Sequence, residues 1–385
     1  MIRRASGFAL VAVLVLLIPA GDAGSQGTLS TQGFGYPPGQ YSTRARGTGG
    51  GMAEFDPESP VNPAAIGLSG DPRVFLQYEP EFRKLTSGPN TSNATTARFP
   101  VFSASVPFGR RGSVGIAAST FLDRSSSTTI TRDQEVAGTL SSVTETTRIL
   151  GAINDLRLAV GWAPSQKFQI GLGAHAYTGQ NRVSFSQIFP DSLNFSSLSQ
   201  VSTLGFRGYA GSAGVVIRPS RTFGIAISGR KGADIEARNG DSAISEAKIP
   251  DRYGFSVAYE GIPGSSISAH VSREMWSKLN GLGSSASPTA VDAWEGGFGV
   301  ESLGPRLVSR QTILRIGTRY RTLPYLAAGA EVKELSFMGG IGTQFFRNRA
   351  TFDVTFERAG RTVDGSDVDA KERAYILSFG LRVRP

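Results

Sequence analysis

Residues Asp155–Ala176 read DLRLAVGWAPSQKFQIGLGAHA. Leu156, Leu158, Val160 and Trp162 fall on one side of an extended chain, and Asp155, Arg157, Ala159 and Gly161 on the other. Successive side chains of a strand point to opposite faces, so this spacing predicts a strand with one apolar and one polar face. APSQK, Ala163 to Lys167, is a short turn built on proline and serine. Phe168, Ile170, Leu172, Ala174 and Ala176 then resume the alternation. Two long amphipathic strands joined by a tight turn suit a transmembrane barrel. A water-soluble sandwich also alternates, but its strands run to only about five or six residues.

The same period recurs along the chain from Arg73 to Val383. Val74, Leu76, Tyr78 and Phe82 form one apolar face, as do Val114, Ile116, Ala118 and Leu122. Phe352, Val354 and Phe356 follow, then Tyr375, Leu377, Phe379, Leu381 and Val383. The expectation is fourteen antiparallel strands closed into a barrel over residues 73–385. The strand around Phe206 to Ile217 is glycine-rich, and its phase stays open. Short connections such as RPSR (Arg218 to Arg221) alternate with long polar ones. The long ones are placed at 85–98, 123–150, 179–203, 230–250, 275–292, 322–334 and 358–371. Outer-membrane barrels sort their connections this way, with short turns on the periplasmic side. A propeller would repeat a blade motif, and none is visible. Trp162, Tyr253, Tyr259 and Trp294 read as interfacial aromatics.

Composition narrows the function. The chain has 385 residues, no cysteine, and only two histidines, His175 and His270. Thiolate chemistry is excluded, and a histidine-based metal or acid–base site is not expected. No cofactor, metal or catalytic residue is assigned. The net charge of +9 comes from scattered arginines, not from one patch, so no nucleic-acid role follows. At the N-terminus, Arg3 and Arg4 precede an apolar run from Phe8 to Ile18 and then small residues. That order marks an export signal, residues 1–23, with cleavage expected after Ala23. An exported chain with no other long apolar run meets a membrane only as a barrel. The expected location is the outer membrane of a diderm bacterium.

Residues 24–72 form a tail and an irregular segment. GTGGGMAEFDPESPVNPAAIG, Gly47 to Gly67, is rich in glycine, proline and polar groups, and suits neither helix nor strand. Its backbone would lack partners against lipid, so it is expected inside the lumen as a hatch. The alternative is a flexible periplasmic tail.

The hatch residues carry a family likeness. Arg44, Arg46, Gly47, Gly49, Gly50 and Gly51, then Asp56, and Asn62, Pro63 and Ala64, stand in this order between the signal and the first strand. In this the chain resembles the FadL/TodX family of outer-membrane transporters. The resemblance implies a fourteen-stranded barrel with an N-terminal hatch. It also implies passive uptake of long-chain fatty acids or other small hydrophobic molecules, with lateral exit after hatch movement. A branch of that family serves as surface-protein assembly scaffolds, and a nonspecific porin is a third reading. The chain departs from many barrels in ending Val383-Arg384-Pro385 without a terminal aromatic.

Phe185, Ile188, Phe189, Leu193, Phe195 and Leu198 cluster in a predicted external loop, and are the expected capture residues. Residues 191–199 are predicted as a short helix within it. The alternative is that they only pack loops together. Arg157, Arg252 and Arg315, with Arg207 and Arg319, are expected to face the lumen. There they would meet either a ligand carboxylate or wall and hatch acids. The partners expected are hydrophobic small molecules or fatty acids and the surrounding membrane lipid. Since a closed barrel has no free edge, a monomer is expected.

Overall fold

A computed structural model describes residues 34–68, 70–87, 90–136, 139–189, 196–282, 289–307, 310–327, 329–346, 349–363 and 370–385. The signal-peptide and tail readings lie outside these residues. The strands form one closed antiparallel barrel of fourteen. They are β1 (Arg73–Ser87), β2 (Asn90–Arg98 and Val101–Phe108), β3 (Gly112–Asp123 and Ser126–Val136), β4 (Thr139–Ser165) and β5 (Phe168–Ile188). Next come β6 (Leu198–Ile217), β7 (Phe223–Asn239), β8 (Ser242–Lys248 and Arg252–Ile262) and β9 (Ser265–Glu274). Last are β10 (Ala293–Leu307), β11 (Arg310–Ala327), β12 (Ala330–Phe345), β13 (Ala350–Val363) and β14 (Ala370–Val383). Each strand pairs with the next, and β14 closes on β1 through pairs such as Val74 with Val383. Both barrel ends therefore lie at the short-turn side.

The apolar faces point outward. Leu172 is 69% exposed and Ile316 71% exposed, whereas Asp155, Gln77, Glu81 and Glu357 are buried on the inner faces. An outer apolar band around a polar interior is the arrangement that a bilayer solvates.

Two expectations change. The predicted long connections are mostly strand: β4 alone has 27 residues, against the ~10 that cross a membrane. Sequence periodicity misses these ends because both of their faces meet water, so no apolar alternation marks them. Cross-strand hydroxyl pairs hold part of them, with Thr129 3.2 Å from Thr146 and Thr131 3.3 Å from Thr144. Of the long connections, 275–292 stays irregular where described, with a tight turn at Trp276–Leu279. Second, Leu122 faces inward. The β3–β4 register shifts between Thr120 and Leu122, and a one-residue slip turns the face over. The open phase of β6 is settled by Phe206 and Val216, both buried on the inner side.

Among the described residues the ladder opens beside the upper part of β2, as it does beside Ser242–Lys248 of β8, which pairs only with β7. The lower half of β2 pairs with β3 up to Val101 with Ser119. Above that, Asn90–Arg98 pairs with β1, and no pairing joins it to β3 among the described residues. At the break, the Asp123 backbone turns away and exchanges hydrogen bonds with Tyr36, at 2.7 and 2.9 Å. Arg98 reaches across to Asp123 at 3.3 Å.

Candidate functional site

Residues 34–68 lie against the inner faces of strands on every side of the barrel. Within this segment, α1 (Thr43–Gly47) starts at Ser42, whose hydroxyl accepts from the Ala45 N–H at 3.1 Å. Asp56 accepts from Ser59 Oγ at 2.8 Å and from the Ser42 hydroxyl, tying the two turns together. Asn62 Oδ1 accepts from the Ala64 N–H at 2.9 Å, and its amide donates to the Glu54 carbonyl at 3.0 Å. Its side chain thus closes the N-P-A-A turn on its own backbone, as asparagine does in such turns.

Charge fixes the segment to the wall. Arg44 grips Glu301 of β10 with two bonds of 2.7 and 2.9 Å. Arg46, fully buried, reaches Glu357 of β13 at 2.8 Å, Glu79 of β1 at 3.1 Å and the Pro38 carbonyl at 3.0 Å. Arg252 of β8 donates to Glu54 at 2.8 Å, and Arg382 of β14 to Glu58 at 3.1 Å. Gln40 donates to Ser119 of β3 and Asp155 of β4 at 2.7 and 2.8 Å. These partners surround the segment. Tyr36 sits in a ring of guanidinium groups, with Arg321 and Arg361 5.0 and 4.5 Å from its ring centre. Its hydroxyl donates to Glu334 at 3.1 Å.

Glycine on both sides makes the fit possible. Gly49 and Gly50 have φ of 62° and 86°, which side-chain-bearing residues rarely adopt. Across from them, a Cβ on Gly317 would stand 2.2 Å from the Gly49 nitrogen. A Cβ on Gly171 would stand 2.3 Å from the Pro63 carbonyl carbon, and one on Gly214 1.9 Å from Asn62 Oδ1. The strand glycines are the seats of the segment.

Above the segment, toward the long hairpins, an apolar cluster fills the barrel. Phe121 stacks on Trp276 at 4.9 Å, Phe34 meets Trp276 at 6.0 Å, and Phe121 meets Tyr177 at 5.0 Å. Leu122, Ile153, Phe206 and Tyr325 complete it. Sequence reasoning missed this cluster. Its available signals were the doubled Phe121-Leu122, which breaks alternation, and Trp276 in a predicted loop. The turn that carries Trp276 is anchored by Asp292, which accepts from Ser277 Oγ at 2.6 Å and Arg273 at 3.1 Å. Burial alone would raise the Asp292 carboxyl, but the bonds from Ser277 and the Arg273 charge hold it below its usual range. Below the cluster lies a cavity of about 60 Å³, lined by Tyr41, Phe121, Trp276, Glu295, Arg252 and Arg321. An apolar cavity that takes benzene is ~150 Å³, so this cavity is too small to hold such a ligand as it stands.

The predicted lumen charges divide. Arg315 is buried between Glu301 and Asp353, at 2.7 and 2.6 Å. Arg319 pairs with Glu357 at 2.7 Å. Arg157 is buried, yet its Nε and Nη1 have no partner among the described residues. A Cβ on its neighbour Gly173 would lie 3.6 Å from Arg157 Cδ and 2.5 Å from Ser212 Oγ. Arg207 is exposed on the outer face against Tyr209, because β6 turns it away from the lumen. That overturns its lumen placement.

Nor do the capture residues form one loop. Strand β5 runs through Phe185 to Ile188, and Leu198 opens β6. Their pairing, Gln187 with Leu198, puts Phe185 and Leu198 on the lumen-side parity and Ile188 on the other. Phe189 follows the strand end. The helix predicted over 191–199 does not reach Leu198, which is strand. Leu193 and Phe195 lie outside the described residues.

His175 stands 2.8 Å from both Asp155 Oδ1 and Ser212 Oγ, a Ser–His–Asp array across three strands. The backbone of Gly211, Ser212 and Ala213 is taken up by the β6–β7 ladder.

Comparison with known proteins places this architecture. No protein-family model and no curated protein match the chain. Among solved structures it is similar to a Pseudomonas aeruginosa FadL homologue. The TM-score is 0.64 at 14% identity, over 91% of this chain and 99% of that one. The chain has the FadL-homologue fold. A Pseudomonas putida toluene transporter, TodX, superposes with a TM-score of 0.56 at 12% identity, over 90% of this chain and 98% of that one. The Ralstonia pickettii toluene transporter TbuX gives 0.53 at 13%, over 89% and 98%. At such identities the likeness speaks for the FadL-type fold, and the site is read from its own residues.

Proposed function

We propose that this protein is an outer-membrane channel for passive uptake of small hydrophobic molecules, with long-chain fatty acids as the substrate class. The observation that carries the reading is the aromatic and aliphatic cluster of Phe121, Trp276, Phe34 and Tyr177 across the lumen at the long-hairpin side. A diffusion pore for polar solutes needs a wetted opening there; an apolar one transfers hydrocarbon out of water at roughly 25 cal/mol per Å² buried. Residues 34–68 act as the hatch, locked by Arg44, Arg46 and Arg252. The unpaired β2–β3 segment supplies the lateral exit, latched by Arg98–Asp123 and by Tyr36 of the hatch itself. Movement of residues 34–68 frees the latch and opens the wall together. Arg157 receives the carboxylate, being a buried guanidinium whose Nε and Nη1 have no hydrogen-bond partner among the described residues. Transport by the similar toluene channels supports an apolar cargo.

The test is uptake into proteoliposomes. Fatty acid and toluene are expected to enter faster than in protein-free vesicles, while a disaccharide is not. Equal acceleration of the disaccharide would make the protein a general pore.

A further inference from the structure

The outer face carries a basic site that uptake does not use. On β1, β13 and β14 the outward residues run apolar and then switch to cations at one level. On β13 the series is Phe352, Val354, Phe356, then Arg358; on β14, from the other end, Leu377, Tyr375, then Arg373. On β1, Phe82 is followed by Lys84. Lys84 and Arg373 are direct cross-strand partners, and Arg373 faces Gly360, two residues from Arg358. All three are exposed. None has an ion pair among the described residues, unlike outer-face Arg273, which holds Asp292, and Lys231, which holds Asp251.

Like charges directly opposite each other on a sheet destabilise it, and nearby diagonal ones add to that. An anion placed between them reverses the sign. Gly360 leaves room for it: a groove of about 430 Å³ runs over this glycine, lined also by Tyr320, Leu335 and Phe337. The level is informative. Arg358 is eight residues from the start of β13, or roughly 20 Å up a tilted strand, near the top of an apolar band about 25 Å tall. The one acid on the outward face of β12, Glu331, lies two positions beyond Lys333, at the far rim.

We propose that Lys84, Arg358 and Arg373 bind the phosphate groups of the phosphorylated glycolipid that forms the outer leaflet, with its acyl chains laid on Leu335, Phe337 and Tyr375. Guanidinium pairs match phosphate oxygens two at a time. The apolar residues directly below the cations select a lipid over a soluble anion. This inference rests on the outer-membrane placement proposed above, and on none of the lumen residues.

The experiment is native mass spectrometry of the detergent-extracted protein titrated with bis-phosphorylated lipid A, and with the same lipid after removal of both phosphates. Retention of the phosphorylated form is expected to be at least about tenfold greater, as charge-assisted bonds allow. The Lys84→Gln/Arg358→Gln/Arg373→Gln variant is expected to lose that difference, and Arg358→Lys/Arg373→Lys to keep most of it. Equal retention of both lipids by the native protein, or undiminished retention by the triple variant, overturns the site. So does protection of the fold by inorganic phosphate alone as strong as that by lipid. Heat-dependent gel mobility confirms that each variant is a folded barrel. Uptake of hydrophobic solute by the triple variant stays at the native rate, which separates this site from the transport reading.

Discussion

Replacing Arg46 by methionine tests the lock between residues 34–68 and the wall. Its guanidinium bridges Glu79 and Glu357, and both carboxylates are buried. Methionine fills much of the same space but leaves the two acids one cation short. Neither is stranded: Glu357 keeps Arg319 at 2.7 Å, and Glu79 keeps Arg98 at 3.3 Å. Breaking a buried pair from one side costs about 3–5 kcal/mol, and the surviving arginines put this case at the low end. About 3 kcal/mol corresponds to roughly a hundredfold shift in an equilibrium. The strand ladder does not depend on Arg46, so the change falls on seating of the segment. Arg46→Met is therefore expected to raise the fraction of time in a conducting state by about two orders of magnitude in planar bilayers, with the barrel's unfolding temperature little changed. Adding Glu79→Gln removes one of the two under-paired charges and returns part of the loss. A folded Arg46→Met protein as tight to ions as the native one would refute the lock.

Arg157→Met is expected to weaken fatty-acid binding by about 10- to 100-fold, the worth of a charge-assisted bond, with toluene uptake unchanged; calorimetry and vesicle uptake read the two. Gly171→Val puts a side chain where the Pro63 backbone sits. It should give a folded barrel with residues 34–68 accessible to protease, where the native segment is protected. Trp276→Ala enlarges the small cavity under the apolar cluster and should speed entry of toluene-sized solutes in the vesicle assay; a slower rate would assign Trp276 to capture alone. Asp292 has a depressed pKa, so its anchoring of the Trp276 turn is present above the ordinary carboxylate value and is lost as pH falls through its lowered one. Tryptophan fluorescence should change in that acidic window in the native protein and not in Asp292→Asn.

The barrel itself was written in the chain. Leu156 to Trp162 and Phe168 to Ala176 alternate because a strand that separates lipid from water must, and period two is visible without knowing the partner strand. The glycines and Asn62 of the N-terminal segment likewise announce an irregular backbone, since φ near 62° at Gly49 is a local demand. Three-dimensional pairing decided the rest. Residues 126–136 and 139–150 are strand through cross-strand bonds that leave no apolar period, so they read as loop. Leu122 turned inward because of a register slip that depends on β4. Which lumen arginine keeps unpaired nitrogens among the described residues could not be read either: Arg157, Arg252 and Arg315 look alike in sequence, and only their neighbours on other strands distinguish them. The outer cations Lys84, Arg358 and Arg373 are far apart in the chain and meet only because β14 closes on β1 and pairs with β13. Sequence sets the alternation of faces along a strand; the register between strands sets where a bulge turns a face over, as at Leu122, and which charges meet.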